Sequence, residues 1–187
     1  MNAATTILRK EHDAILRMLD VTEEVARQLD ARRPVAPERL FELLEFFRLF
    51  ADRCHHGKEE DLLFPLLERK GLPRAGGPVG VMLHEHEEGR ALVRRMSEAA
   101  EAFRGGAARA GGHWGAAARI YSALLRDHIA KENNVLFVMA ENLMTPAEQE
   151  ELAAAFEKAE EEKIGPGTHQ RLHALMDKLT AEILHAA

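Results

Sequence analysis

Two stretches of this 187-residue sequence share a spacing suited to metal chemistry. His55 is followed by Glu59 and then by Leu63-Phe64, and His128 by Glu132 and then by Leu136-Phe137. Upstream of each lies a Glu-His pair, Glu11-His12 and Glu85-His86. The second copy trails the first by 74 residues at the upstream histidine (12 to 86) and by 73 at the downstream one (55 to 128). One His-to-Glu spacing of four would mean little among 31 acidic residues, whereas two in register are specific. On a helix, four residues turn roughly 400° and rise roughly 6 Å. His55 and Glu59 therefore share a face, as do His128 and Glu132.

The neighbours on those faces are apolar. Leu44, Phe47, Ala51, Leu62 and Leu66 fall on the His55 stripe, and Ala117, Tyr121, Leu124, Leu125, Val135 and Met139 on the His128 stripe. Leu8, Ile15 and Leu19 accompany His12; Val79, Met82, Leu83, Val93 and Met96 accompany His86. Four histidines and two glutamates are thus expected in one core. A buried carboxylate without a countercharge is costly, and bound cations would supply that charge. Six donors suit two metals better than one, with Glu59 and Glu132 as bridges and at least two histidines for each metal. Ferritin-like sites use four Glu and Glu-x-x-His spacing; here His leads and imidazole outnumbers carboxylate. Neutral ligands offset less of a ferric charge, which favours the reduced state and milder oxygen chemistry.

Helical periodicity runs through the elements that must carry these residues. Helices are expected from about Thr5 to Leu29, from Pro37 to Lys70, from Pro78 to Phe103 and from Gly115 to Leu143. The breaks are a Pro-rich segment at 31–37, a Gly/Pro loop at 71–77, and glycines 105–106 and 111–112. Thr145-Pro146-Ala147-Glu148 has the pattern of a capping box with Pro in the first turn. It opens a fifth helix to about Lys163, and Glu157 to Lys163 reads as a solvated face. Gly165-Pro166-Gly167 stops it, and Thr168 caps a sixth helix ending near His185. The expectation is an all-α chain: an antiparallel up-down-up-down four-helix bundle over residues 1–143, with a C-terminal helical extension, 144–187, packed on it.

Bulk properties narrow the function. The formal net charge of −6 argues against a nucleic-acid partner, which would call for a basic face. Cys54 is the one cysteine, so no intrachain disulfide forms. With no apolar run long enough for a bilayer and no leader-like start, a soluble cytoplasmic protein without a membrane partner is expected. Oligomeric state is not encoded in any pattern here.

Over roughly residues 5–143 the sequence resembles the hemerythrin-like (HHE cation-binding) family. That family places His on the first helix, His-x-x-x-Glu on the second, His on the third and His-x-x-x-Glu or Asp on the fourth, matching His12, His55 with Glu59, His86, and His128 with Glu132. The resemblance implies a hemerythrin-like bundle with two non-haem irons (Fe2+/Fe3+), a bridging oxo, hydroxo or water, and an open position for O2, NO or peroxide. Oxygen-carrying members have a second third-helix histidine four residues after the first; here that residue is Arg90. Reversible O2 carriage is thereby disfavoured. His56, on a polar stripe with Asp52, Arg53 and Glu60, is the foremost candidate for a fifth histidine ligand, with an exposed role as the equal alternative; His84, on a face with Glu88 and Arg95, is the runner-up, with an exposed role favoured. The family's iron–sulfur repair members carry an N-terminal cysteine motif that this sequence lacks.

Other residues receive plainer readings. His169 and His173 have metal-pair spacing but lie outside the duplicated unit, so surface or packing roles are expected. Tyr121 reads as a core aromatic, with a hydrogen-bonding role toward the site as the alternative. Cys54 reads as a buried or partly buried thiol, and Met82, Met96 and Met139 as packing. The leading functional expectation is a metal-binding protein that binds or responds to O2, NO or peroxide in iron or redox homeostasis. The alternative is a di-iron enzyme with peroxidase, catalase-like or oxidase activity. No general acid or base stands out beyond the ligands, so no catalytic residue is assigned. A closed structural zinc site is disfavoured because the donors outnumber four.

Overall fold

The computed structural model describes residues 3–184, and among them every regular element is helical. Helix α1 is Ala3–Asp30, α2 spans 37–69, α3 is Pro78–Arg104, α4 spans 110–143, α5 is Pro146–Ile164 and α6 is Thr168–Leu184. The expected end of the sixth helix near His185 lies outside the described residues. No helix among those described is long and apolar enough to cross a membrane.

Helix α4 starts at Ala110, several residues before the expected Gly115. Gly111 and Gly112 lie inside it instead of in a loop. A side chain at 111 would press to 3.2 Å from Leu29 and 3.3 Å from Phe103, so the glycine permits close packing of this first turn. The capping box at the start of α5 is present. Glu148 N donates to Thr145 Oγ1 over 3.3 Å, and Thr145 N donates to Glu148 Oε2 over 2.8 Å. Gly165, at φ 82°, ends α5 in a conformation that L side chains resist.

Two helices are not uniform. Helix α2 is α-helical over Pro37–Phe46, π-helical over Phe47–His56 and Glu59–Leu63, and α-helical again over Phe64–Arg69. Helix α4 is α-helical over Ala110–Lys131, π-helical over Glu132–Leu136 and α-helical over Phe137–Leu143. The later π turns each begin at the motif glutamate. A π turn takes in an extra residue and shifts everything downstream by one position. The expected stripes fail there for that reason. Leu63, Phe64 and Leu67 are buried where Leu62 and Leu66 were expected, and Leu136 and Phe137 are buried while Val135 is 50% exposed and Met139 only partly covered.

The apolar interior forms two clusters. One gathers Ile15 and Leu19 of α1, Phe47 and Phe50 of α2, Met96 of α3 and Leu125 of α4, with Leu172 and Met176 of α6. The other gathers Leu8, Phe64, Met82 and Phe137 of the same four helices with Leu152 and Phe156 of α5. Helix α1 contacts both α5 and α6. Along α1 and α3 the chain passes from the second cluster to the first; along α2 and α4 it passes back. Each crossing runs through one buried polar layer.

Candidate metal centre

That layer consists of His12, His55, His56, Glu59, His86, His128 and Glu132, all buried. Every metal-site residue expected from the sequence is in it. His84, the runner-up, is exposed and faces Glu88 at 3.7 Å, away from the layer.

The outward nitrogen of each of four histidines is held. His55 Nδ1 donates to Glu11 Oε2 (2.9 Å) and His86 Nδ1 to Glu60 Oε1 (2.6 Å). His128 Nδ1 donates to Glu85 Oε2 (2.9 Å) and His12 Nδ1 to Asn133 Oδ1 (2.9 Å). A carboxylate can only accept, so these bonds place the imidazole proton on Nδ1 and leave a lone pair on Nε2. Each acceptor is in turn gripped by a cation: Lys58 on Glu11, Arg90 on Glu60, Lys131 on Glu85 and Arg9 on Asn133. Lys58 also donates to Glu160 Oε2 of α5 over 2.6 Å, tying the last part of the chain to His55.

The inward side of the layer is therefore electron-rich. Glu132 Oε2 lies 3.1 Å from His12 Nε2 and 3.3 Å from His128 Nε2. Glu59 Oε1 lies 3.6 Å from His55 Nε2, and its Oε2 lies 3.5 Å from His86 Nε2. His86 Nε2 and His128 Nε2 approach to 3.1 Å with both protons already committed outward. Both carboxylates and the inward nitrogens of His12 and His55 lack hydrogen-bond partners among the described residues. Facing lone pairs in a dry core repel unless a cation lies between them. The donor set fits metal ions on this ground. Two four-residue groups can each surround one: His12, His55, Glu59 and Glu132, and Glu59, His86, His128 and Glu132. They share both glutamates.

Without a cation the layer cannot hold two free carboxylates. Burial, and then the Glu132 carboxylate, push the Glu59 carboxyl well above the usual range. Burial opposes ionisation of Glu132 too, but His128, His12 and His55 around it carry it down. Burial holds His55, His56 and His128 below the ordinary imidazole value, in the neutral form that metals take.

His56 joins His86 and His128 in a third donor group. Its ring stacks on His86 with centroids 3.9 Å apart. The sequence set it on a polar stripe with Asp52, Arg53 and Glu60; it is instead buried beside His55, within the π turn at Phe47–His56. The second half is plain α-helix at the equivalent point, where Ile129 stands. Beside His56 a cleft of about 180 Å3 runs out past Tyr121 and Arg90. Tyr121 packs edge-on against Phe47 (4.9 Å), and among the described residues its hydroxyl bonds to none of the layer's side chains. Arg90, where oxygen carriers would have histidine, anchors Glu60 and Asp52.

The outer residues went unassigned in the sequence reading, although the duplication carried a signal for them. Glu11 and Glu85 are 74 apart, and Lys58 and Lys131 are 73 apart, like the histidines that they support. Glu60 and Asn133 also correspond, with an amide replacing a carboxylate in the second copy.

The hemerythrin HHE cation-binding domain family matches residues 3–140. An uncharacterized protein of Mycobacterium tuberculosis is 27% identical over 172 residues, covering 92% of this chain and 66% of its own. The iron–sulfur cluster repair protein DnrN of Neisseria gonorrhoeae is 36% identical over 89 residues, 44% of this chain and 54% of that one. The iron–sulfur cluster repair protein YtfE of Edwardsiella ictaluri is 30% identical over 141 residues, 72% of this chain and 62% of that one. The chain thus spans less than two thirds of the length of these relatives.

Proposed function

We propose, from the premise that this chain belongs to the hemerythrin HHE cation-binding family, that it holds two non-haem irons and uses them to bind or respond to O2, NO or peroxide. The observation that carries this reading is the pair of donor groups sharing Glu59 and Glu132. His12 and His55 would serve one iron; His86, His128 and His56 the other. The irons would supply redox chemistry and a position for a small ligand. The chain's own residues orient the imidazoles, exclude water with two apolar clusters, and leave the cleft beside His56 as an approach. The back-and-forth passage of α1 to α4 between those clusters supports an antiparallel up-down-up-down four-helix bundle over residues 1–143, with 144–187 as an extension packed on it. Similarity to proteins named for iron–sulfur cluster repair supports a role in iron or redox homeostasis, in a cytoplasm that keeps Cys54 reduced.

Metal analysis of the purified chain tests the reading: two irons per chain are expected. Glu59→Ala or Glu132→Ala should remove at least one iron and lower Tm; unchanged iron content in both would sink the bridging assignment. Visible spectra then separate two uses of the same site. A ligand-dependent change with NO or air and no peroxide loss supports binding, and rapid peroxide loss supports an enzyme of peroxidase or catalase type.

A further inference from the structure

A second set of donors lies outside the central layer, where α5 and α6 meet α2. Cys54 is 2% exposed, and its Sγ is 3.5 Å from Glu160 Oε2. Glu160 Oε1 is 2.8 Å from His169 Nδ1, a contact without hydrogen-bond alignment that leaves this buried nitrogen unsatisfied. His169 Nε2 is 2.8 Å from His173 Nε2. Donor atoms of Cys54, Glu160 and His169 lie within 4.8 Å of one another. Phe50 lies against both imidazoles, with ring centroids 5.5 Å away in each case.

We propose that Cys54, Glu160 and His169 form a separate site for one divalent cation of zinc type, with His173 completing it once its ring turns from His169 Nε2 to the ion. A thiolate, two imidazoles and a carboxylate are the donors that Zn2+ takes in fourfold coordination. His169 and His173 sit one turn apart on α6, a spacing that alone carries little weight; the convergence of Cys54 from α2 and Glu160 from α5 gives it partners. Local charge agrees. Glu11 and Glu160 outweigh Lys58, and a divalent ion with a thiolate brings this group to formal neutrality. The thiol proton leaves to solvent as the S–metal bond forms. An entry route exists as well: a cleft lined by Glu157, Glu160, Glu161 and His169 opens beside the cluster and attracts cations. Lys58 stays on Glu160 Oε2, leaving Oε1 for the ion. Such a site would clamp α5 and α6 to α2 next to His55.

Co2+ is a spectroscopic stand-in for Zn2+, and Cys54 is the chain's one sulfhydryl, so a thiolate-to-cobalt charge-transfer band reports this site and not a purely His/Glu one. Titrating Co2+ into the protein as isolated, with its central metal in place, should give one equivalent bound with that band. Cys54→Ser should abolish the band. His169→Gln and His173→Gln, on part-exposed rings, should weaken Co2+ binding at least about tenfold without changing the iron content. Absence of a thiolate band at saturating Co2+, or unchanged Co2+ affinity in both histidine variants, overturns the proposal. Should Cys54→Ser fail to fold, the histidine variants decide alone. Iron content measured in the same samples reports separately on the central layer.

Discussion

Four imidazoles of the central layer, those of His12, His55, His86 and His128, are each set by a residue behind the ring. A carboxylate or amide on Nδ1 chooses the tautomer and the ring angle, and a cation behind it holds that acceptor in place. Glu85→Ala, Glu60→Ala or Asn133→Ala should each weaken iron binding by about 10–100-fold, read by competition with a chelator. Wild-type affinity in all three would show that the rings are oriented by packing alone. The neutral histidines also set a pH dependence. Burial first, then neighbouring imidazoles, hold His55 and His56 below their ordinary 6.5. The unfolded chain therefore takes up protons that the folded one refuses. Stability is full above about 6.5 and declines as pH falls below it. Melting of the metal-free protein should show Tm dropping from about pH 7 to about pH 5, and a flat profile would contradict it.

The π turns are the structural decision of the helices. Their place at Glu59–Leu63 and Glu132–Leu136 lets the His-x-x-x-Glu pair and the Leu-Phe pair both face inward, although eight residues from His to Leu would overshoot the face of a regular α-helix. Asn134 is exposed, and its side chain bonds to Ala130 O (2.7 Å), so its loss removes no buried contact. Deleting Asn134 should remove the extra residue, restore regular α geometry and leave 136–143 on their present face, since seven residues turn about 700°, close to two full turns. Leu136 and Phe137 would stay in the core, and the expected readout is retained iron with little change in Tm. A large drop in Tm with loss of iron would mean that the turn does more than absorb one residue. The duplication made the motif legible, but a change in helical period is invisible to a pattern read at 3.6 residues per turn, and so Val135 was expected on the wrong face.

Over the whole molecule, the last two helices close a chain of contacts from α5 through Glu160, Lys58 and Glu11 to His55. Burial opposes ionisation of Glu160, but the His169 imidazole beside it and the Lys58 ammonium hold its carboxyl at about 2, against an ordinary 4.5. A depressed carboxyl contributes stability that is present above 4.5 and lost as pH falls toward 2. Because Glu160 is part-exposed, solvent screening limits the contribution to about 1 kcal/mol, or a Tm difference of about 2–4 °C. Glu160→Gln should therefore melt lower near neutrality by that amount, and the gap from wild type should close on acidification. A gap that persists at low pH would point to packing and not to charge.

By itself the sequence determined the helical class and the six side chains that meet in the buried layer, because a four-residue spacing on a helix fixes a shared face whatever surrounds it, and a duplicated motif tells chance from design. Only the tertiary structure decided His56, which it stacks on His86 of another helix. Likewise it alone brought Cys54 to Glu160 and His169, since these stand on two other helices and over a hundred residues further along the chain. Contacts of that range arise when helices dock, and no local period records them.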